Sequence, residues 1–272
     1  NIVMKVSHEV PRCLLKASPE FNDYDYCLPH LLDKDEEYKQ YFLDAKKAGR
    51  YIVMDNSLHE LGEAYNWDRL KHWLYELEPN EFIVPDEWMD YTQTQVYAKY
   101  WKQIPMPKKC IAMAVVQGKD KVDAIKSFRC LKELGYQKIA ISYGATWYND
   151  LFPHCNKDMG KTLGRMNFIA ELIRSGELDK ERDNIHLLGC AIPQEFGWYR
   201  ELKCIKSIDT SNPIMAALEG TWYDESGLTA KPKANMNDHF DIKFEDVDYL
   251  MILHNTTKFR EINGIKKINP YV

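Results

Sequence analysis

The sequence predicts an α/β protein built as one (β/α)8 TIM barrel over residues 1–272. Eight short apolar runs rich in Ile and Val recur along the chain, and amphipathic stretches of helical length separate most of them. A chain of 272 residues also has a length that α/β barrels commonly occupy as one domain. A six-stranded doubly wound fold is the competing architecture, but no G-x-G-x-x-G motif follows the early runs.

The apolar runs have the length of strands, and their composition is typical of parallel strands that are covered on both faces. In chain order they are IVMKV (2–6), YDYCL (24–28), RYIVMD (50–55), EFIVPD (81–86), CIAMAVVQ (110–117), KIAISY (138–143), IHLLGCA (185–191) and CIKSID (204–209). The long interval without a clear strand covers residues 144–184. Residues 212–272 follow the eighth run as a C-terminal extension.

Helical periodicity marks several of the intervening stretches. From Asn66, a helix N-cap, to Leu77 one face carries Trp67, Leu70, Trp73, Leu74 and Leu77. Residues 119–134 show the same helical periodicity, and the predicted buried face carries Val122, Ile125, Phe128, Leu131 and Leu134. Gly135 follows at the C-cap. A third helical pattern, over residues 244–259, is expected to pack across the barrel.

Composition narrows the class of protein. The formal net charge of −5 argues against a wholly basic surface, although a local basic patch can still bind nucleic acid. Seven cysteines without a C-x-x-C pair indicate a reduced, cytoplasmic protein with no cysteine zinc site. The longest apolar run is far too short to span a bilayer and the N-terminus lacks a signal-peptide plan, so we expect no membrane attachment.

Polar residues stand where the predicted strands end, which is the face of a barrel that carries function. Asp55, Asp86, Gln117 and Asp209 occupy such positions, as do the turn at residues 142–144 and the pair at residues 189–190. A single Asp after a strand is most often a helix cap or a loop anchor. Three carboxylates at one barrel mouth raise one another's pKa, which favours a functional use.

Two of these carboxylates suffice for glycosyl chemistry. A pair that flanks an anomeric carbon, one attacking and one moving a proton, is typical of retaining reactions with a covalent sugar intermediate. A third carboxylate beside a glutamine suits the edge of guanine, because the carboxylate accepts from N–H groups and the amide donates to the carbonyl. The set therefore indicates a nucleoside bond as the target.

Six motifs carry a resemblance to a known family. MDNSLHELG, IVPDE, AVVQG, ISYGA, HLLGCAIPQEF and SIDTSNP resemble, in the same order, the D-S-G-G, F-D-E, V-Q-G, G-G-L-A, L-M-G-x-x-x-P and I-D motifs of the tRNA-guanine transglycosylase superfamily. The likeness runs from about residue 24 to residue 213. The compact form is most similar to phage-type members that insert 7-deazaguanine bases into DNA, which would place the enzyme in the host cytoplasm.

The resemblance implies a pentosyltransferase that replaces guanine in nucleic acid with a 7-deazaguanine derivative, uses no cofactor, and favours DNA over tRNA. It implies that Asp209 is the nucleophile and that Asp55 is the general acid and base. For the base, the resemblance implies that Asp86 and Gln117 bind its edge and that Gly118 allows the backbone to approach closely. Leu188, with neighbouring Gly189, would lie against one face of the base and His59 against the opposite face. Tyr143 or Gly144 would lie beside the 7-substituent. For His59 a surface position is the alternative, and for His30 a buried structural role is favoured.

The departures from the family pattern also carry expectations. The tRNA enzymes have a C-x-C-x-x-C plus His zinc site after the last strand, whereas this chain has no cysteine after Cys204, so we expect neither a metal nor a zinc subdomain. The stretch DNSLHE replaces a double-glycine turn, so the backbone beyond Asp55 should run differently.

Phosphate contacts would come from basic residues near the mouth, for which the candidates are Lys231, Lys233, Lys258, Arg260, Lys266 and Lys267. A solvated charged face is the alternative for all of them. Trp147 and Tyr148 could stack on an unpaired base or pack in the barrel rim. The other functional readings are a tRNA-specific enzyme, a retaining glycoside hydrolase, and a non-catalytic nucleic-acid-binding homologue.

Overall fold

Eight parallel strands form a nearly closed barrel in the computed structural model, which describes residues 4–63, 65–233 and 235–268. The strands are β1 (Lys5–Ser7), β2 (Asp25–Cys27), β3 (Ile52–Met54), β4 (Glu81–Ile83), β5 (Ile111–Val115), β6 (Lys138–Ser142), β7 (Ile185–Leu188) and β8 (Ile205–Asp209). Sequential strands pair from β2 to β8, and β1 pairs with β8. The predicted (β/α)8 barrel is confirmed, and each predicted strand segment contains or overlaps the observed one; residues 2 and 3 of the first lie outside the described residues.

Helices cover the outside of the barrel. They are α1 (Pro29–Lys34), α2 (Glu36–Lys47), α3 (Leu58–Leu61), α4 (Trp67–Leu77), α5 (Tyr91–Lys102), α6 (Lys121–Glu133), α7 (Trp147–Leu151), α8 (Lys157–Arg174), α9 (Asn212–Leu218), α10 (Met236–His239) and α11 (Tyr249–Asn263). The connections after β1 and β7 contain 3-10 helices instead, at Arg12–Leu14, Ser18–Glu20 and Pro193–Tyr199. A further 3-10 turn lies at Phe244–Asp246. In the described part of the chain, none of the helices combines the length and the apolar composition that crossing a membrane requires.

The two helices predicted in detail from periodicity are present. In α4 the Asn66 side chain accepts a hydrogen bond from the Arg69 amide at 3.1 Å, as an N-cap does. In α6 the prediction for Val122 was wrong, because its side chain is 58% exposed. The helix begins at Lys121 and buries a stripe of side chains spaced by about one turn, namely Ala124, Phe128 and Leu131.

The gap between β1 and β2 is bridged by a backbone hydrogen bond and by side chains. The Asp23 amide donates to the Val6 carbonyl at 2.9 Å, and the Val6 amide donates to the Asp23 carboxylate at 2.9 Å. Arg260 of α11 holds that carboxylate at 3.0 Å. The Tyr24 hydroxyl adds a hydrogen bond to the Ile208 carbonyl of β8 at 2.6 Å. These contacts join the two strands that do not form a regular ladder.

The C-terminal extension packs on the barrel through α11. The predicted helix at residues 244–259 is shifted, since the observed one covers Tyr249–Asn263. The Asn255 amide donates to the carbonyls of Pro213 and Thr221 at 3.2 and 2.9 Å, and Phe259 meets the His8 ring edge-on with centroids 5.0 Å apart. Backbone carbonyls are thereby satisfied by side chains of a helix distant in sequence.

A buried ion pair ties β6 and β7 together at their carboxyl ends. The Arg165 guanidinium, on α8, contacts both oxygens of Glu195 at 2.7 and 2.8 Å. It also donates to the carbonyls of Ile141, Leu188 and Gly189, at 3.2, 3.1 and 2.9 Å. Both charged side chains are at most 1% exposed. All of the guanidinium's partners are therefore inside the protein, where their loss cannot be compensated by water.

Replacing Arg165 should consequently destabilise the fold. In Arg165→Met, Glu195 would keep a buried charge without its partner, and we expect a loss of about 3–5 kcal/mol in the free energy of unfolding. Urea denaturation followed by circular dichroism measures it. The control is Arg174→Met on the same helix, whose side chain is 71% exposed and should leave the midpoint nearly unchanged. Equal midpoints for both variants would contradict the role assigned to the buried pair.

Candidate active site

A cavity of about 520 Å³ opens at the carboxyl ends of the strands, a size typical of small-ligand sites. Residues at or beside the ends of all eight strands line it, in chain order Glu9, Tyr26, Asp55, Asp86, Gln117, Tyr143, Leu188 and Asp209. Side chains from the connecting segments complete the wall, among them Trp88, Lys161 and Lys231. The four polar residues predicted to converge, Asp55, Asp86, Gln117 and Asp209, thus face one enclosed space.

Most of the other predicted base-binding residues lie there as well. His59, Tyr143, Gly144, Leu188 and Gly189 all line the cavity. The Tyr143 ring packs directly on Gly189, where a Cβ atom would come within 2.3 Å of the ring and where φ is +66°. A side chain at residue 189 would therefore displace Tyr143 from the wall.

Asp86 is held by two amide side chains. Gln117 Nε2 donates to Asp86 Oδ2 at 2.8 Å, and Asn56 Nδ2 donates to Asp86 Oδ1 at 2.8 Å. Gln117 Oε1 accepts from the Met89 amide at 2.8 Å, which orients the Gln117 amide group. Burial raises the pKa of Asp86 to about 6, opposed by the hydrogen bonds from Gln117 and Asn56, so the carboxyl is mostly ionised at neutral pH.

The turn after Asp55 builds this arrangement. Asn56 is buried and also donates to the Val84 carbonyl at 2.9 Å, so it connects β3 to the end of β4. Ser57 takes the left-handed conformation, with φ of 65°, that glycine favours. Its hydroxyl lies 2.8 Å from Nδ1 of the buried His30. The turn thus keeps a conformation suited to glycine without containing glycine, and His30 has a structural contact.

Asp209 ends β8 and contacts a buried histidine. His186 Nε2 lies 2.6 Å from Asp209 Oδ1, and His186 Nδ1 lies 2.7 Å from Ser207 Oγ. Burial lowers the pKa of His186 to about 3, so the imidazole is neutral. Burial also raises the pKa of Asp209 to about 8, although Arg165 opposes the shift. A neutral imidazole can donate Nε2–H to the ionised carboxylate while Nδ1 accepts from the serine.

Asp55 belongs to a group of acids around the cavity. Burial raises its pKa to about 7, and the charges of Asp209 and Asp86 add to that effect. Enclosure also raises the pKa of Glu9 to about 8, with Asp209 and Asp55 contributing. The pKa of Glu60 is raised well above its ordinary value by burial and by Glu9. These groups therefore hold protons near neutral pH, where ordinary carboxylic acids have lost them.

Six residues predicted for the site do not line the cavity, namely Gly118, Lys233, Lys258, Arg260, Lys266 and Lys267. The Gly118 carbonyl accepts from Trp147 Nε1 at 3.1 Å, and a Cβ atom at Gly118 would lie 2.6 Å from the Ala124 amide nitrogen, so this glycine lets α6 start close to the strand end. The Lys233 amide points to Glu219. Lys258 bridges Glu225 and Glu261, with both contacts at 3.2 Å.

Arg260 is the clearest correction. It is 3% exposed and holds Asp23 beside the β1–β2 gap, so it is a structural residue and is inaccessible to a phosphate. Lys266 and Lys267 also lie outside the cavity lining. Of the predicted phosphate-binding residues, Lys231 alone lies at the cavity among those that the structure describes.

Trp147 and Tyr148 pack in the barrel rim. Both are buried, and the Tyr148 hydroxyl donates to the Ser142 carbonyl at 2.9 Å. The aromatic residue available at the mouth is Trp88, which is 55% exposed and donates from Nε1 to the Gly144 carbonyl at 3.3 Å. It follows Asp86 by two positions, and stacking on a base is a use suited to its place.

Several residues that line the cavity or contact its acids escaped the sequence reasoning, and some of them had a recognisable signal in the sequence. Glu9 stands two residues beyond the end of β1, so the rule applied to the other strand ends would have found it. His186 is a polar residue inside an apolar strand, which is itself unusual. Glu60 and Lys161 lie on helices whose orientation toward the cavity depends on tertiary packing.

Comparison with protein-family models and with curated proteins finds no match for this chain. Over the described residues, no three His, Cys, Asp or Glu side chains are grouped so that they could hold a metal ion. The functional proposal therefore depends on the geometry of the cavity and on the motifs that line it.

The raised pKa of Asp209 makes a prediction about stability. Between its ordinary value of 3.8 and about 8, the folded state holds a proton that the unfolded state has lost, so this residue's contribution to stability falls as pH rises. Relative to that of the wild type, the free energy of unfolding of Asp209→Asn should rise by up to about 1.4 kcal/mol per pH unit between pH 5 and 7. Urea denaturation at several pH values measures the difference, with Asp68→Asn on the exposed face of α4 as the control. Parallel stability curves for Asp209→Asn and the wild type would show that burial does not perturb this carboxyl.

Proposed function

We propose that this protein is a base-exchange transglycosylase that replaces guanine in nucleic acid, DNA in preference to tRNA, with a 7-deazaguanine derivative. The observation that carries the proposal is the shared cavity of Asp55, Asp209 and the Asp86–Gln117 pair, which combines groups for glycosyl chemistry with groups for reading a purine edge. The motif resemblance described above supports the same activity.

Asp86 suits the Watson–Crick edge of guanine. Each of its oxygens receives one hydrogen bond from an amide, which leaves acceptor positions on both oxygens for the ring N1–H and the exocyclic amine. Gln117 Nε2 has a second hydrogen that can donate to the guanine carbonyl. Adenine presents an acceptor at N1, which would face the carboxylate without a hydrogen bond. The arrangement therefore favours guanine and its 7-deaza analogues, which share this edge.

Asp209 and Asp55 suit the two halves of the exchange. An ionised Asp209 oxygen attacks C1′ of the nucleotide, the bond from C1′ to guanine breaks, and the departing guanine takes the electron pair and a proton from Asp55. The incoming base then loses a proton to Asp55 and attacks C1′, which breaks the ester bond and restores Asp209. Atoms and charges balance without a cofactor.

The exchange requires Asp209 ionised and Asp55 protonated, whereas burial raises the pKa of Asp209 to about 8 and that of Asp55 to about 7. His186 can donate to Asp209 Oδ1, which supports the ionised form and leaves Oδ2 for attack. The pKa of Asp55 lets it release and regain a proton near neutral pH. Because the target bond is hidden inside a duplex, the nucleotide must leave its stack to enter the cavity.

A retaining glycoside hydrolase would also use two carboxylates. A hydrolase would have no need for a third carboxylate that Asn56 and Gln117 hold in an arrangement suited to a purine edge. This alternative therefore leaves that part of the cavity unexplained. A non-catalytic homologue would have no need for Asp209 and Asp55 with raised pKa values. We therefore favour transglycosylation over both alternatives.

Incorporation of radiolabelled guanine tests the activity directly. The protein is incubated separately with duplex DNA, single-stranded DNA and tRNA, and acid-insoluble label is counted. We expect label in DNA, at least about 100-fold less with Asp209→Asn because the nucleophile is lost, and an unchanged rate with Asp68→Asn. Label in tRNA alone would change the proposed substrate, and no label in any nucleic acid would refute the exchange activity.

Asp86→Asn tests base recognition. The amide cannot accept from guanine with both terminal atoms, so we expect guanine to lose about 1–3 kcal/mol relative to adenine in competition for the cavity. Competitive binding of the two free bases, followed by calorimetry, measures the change. Thr94→Ser is the control, because Thr94 lies on α5 and contacts the same loop through the Glu87 carbonyl but is outside the cavity lining. If Asp86→Asn discriminates between the bases as the wild type does, another group reads the base.

A further inference from the structure

Two lysines converge on one side of the cavity. Lys161, on α8, places Nζ 6.0 Å from the centroid of the Tyr143 ring, and Lys231 places Nζ 5.5 Å from the same centroid. Both side chains line the cavity, as does Tyr143. We call Lys161, Lys231 and Tyr143 the basic corner. Lys161 was not among the residues that the sequence singled out.

Neither lysine is neutralised by the protein. Among the described residues, no carboxylate lies within the 4.0 Å that defines an ion pair with either ammonium group. Lys161 is partly buried, and its pKa is lowered by burial and by the nearby charge of Lys231, with Asp158 opposing the shift. The charge of Lys231 disfavours the charged form of Lys161, and an anion near both ammonium groups would reduce that repulsion.

Hydrogen bonds connect the segment that carries Lys231 to the start of α8, the helix that carries Lys161. The Lys231 amide donates to the Asp158 carboxylate at 2.9 Å, and the Asn156 amide donates to the Thr229 carbonyl at 2.7 Å. Both partners belong to the start of α8, the helix that carries Lys161. Arg165 anchors the same helix one turn later through Glu195. The pairing of the lysines is therefore set by hydrogen bonds that involve neither ammonium group.

The acidic side chains of the cavity form a separate group. Asp55, Asp209, Glu9 and Glu60 influence one another's pKa, and burial raises the pKa of each, so these acids hold protons near neutral pH. They therefore do little to repel an oxyanion, whereas the two lysines supply positive charge that attracts it. The basic corner would thus orient a ligand with one negative group.

We propose that Lys161 and Lys231 bind an oxyanion of the substrate beside Tyr143. The identity of that substrate rests on the function proposed above. Two sources supply the same chemistry: a phosphate of the nucleotide that enters the cavity, or a carboxylate on the incoming base. In either case the two lysines bind the negative group, while Asp86, which follows β4, binds the edge of the base.

Binding without turnover tests the proposal. Calorimetry compares deoxyguanosine with its 5′- and 3′-monophosphates, and 7-deazaguanine with 7-carboxy-7-deazaguanine. We expect at least one anionic ligand to bind about tenfold or more tightly than its neutral partner, because hydrogen bonds between charged groups are stronger than those between neutral groups. A preference for the monophosphate identifies a phosphate site, and a preference for the carboxylated base identifies a substituent site.

Variants assign the preference to the lysines. The double variant Lys161→Gln/Lys231→Gln should lose the preference, and Lys161→Arg/Lys231→Arg should keep most of it because the charge remains. Lys157→Gln, an exposed lysine on the same helix that does not line the cavity, should behave as the wild type. Equal affinity of the wild type for anionic and neutral ligands would overturn the proposal, and so would a preference that survives in the double glutamine variant.

This experiment can fail independently of the exchange assay. A lysine-dependent preference for anions in a protein that incorporates no labelled guanine would support the oxyanion site and refute the transglycosylase. Incorporation of guanine by a protein that shows no such preference would support the transglycosylase and refute the oxyanion site.

Discussion

The pairing of β1 with β8 is the interaction on which the rest of the site depends. It sets Ser7 opposite Asp209, while β7 sets Leu188 opposite the same aspartate from the other side. Because all strands run parallel in a nearly closed barrel, their carboxyl ends lie on one rim. Residues that are 200 positions apart in the chain, Glu9 and Asp209, therefore share one cavity. The side-chain contacts of Asp23 and Tyr24 complete the barrel where β1 and β2 form no ladder.

Burial in one cavity raises the pKa values of several carboxyl groups by different amounts. Asp86 has two amide donors, and its pKa, raised by burial, reaches about 6. Asp55 and Asp209, also raised by burial, reach about 7 and about 8. Asp86, with two amide donors, is thus the one best suited to act as a permanent acceptor, and Asp55 is suited to exchange protons near neutral pH. Differences in local environment, with the same chemical group, separate the roles.

The basic residues show how little charge alone says about function. Lys258 and Arg260 lie two residues apart on one helix, yet both form ion pairs with carboxylates of the protein. Arg165, which no sequence motif marks, lies entirely inside and organises the ends of β6 and β7. Lys161 and Lys231 are the cavity lysines without an ion pair in the described part of the chain. Whether a cation is available to a ligand depends on the partners that folding brings to it.

The sequence by itself determined the barrel, the order of its strands, and the convergence of Asp55, Asp86, Gln117 and Asp209. These features follow from local apolar runs and from the rule that parallel strands end on a common rim, so they need no knowledge of long-range contacts. Only the tertiary structure decided that Asn56 orients Asp86, that His186 contacts Asp209, and that Lys161 and Lys231 lie beside the same tyrosine ring. Each of these contacts joins segments that are distant in the chain or depends on the rotation of a helix about its axis, and neither is encoded in the spacing of residues along one segment.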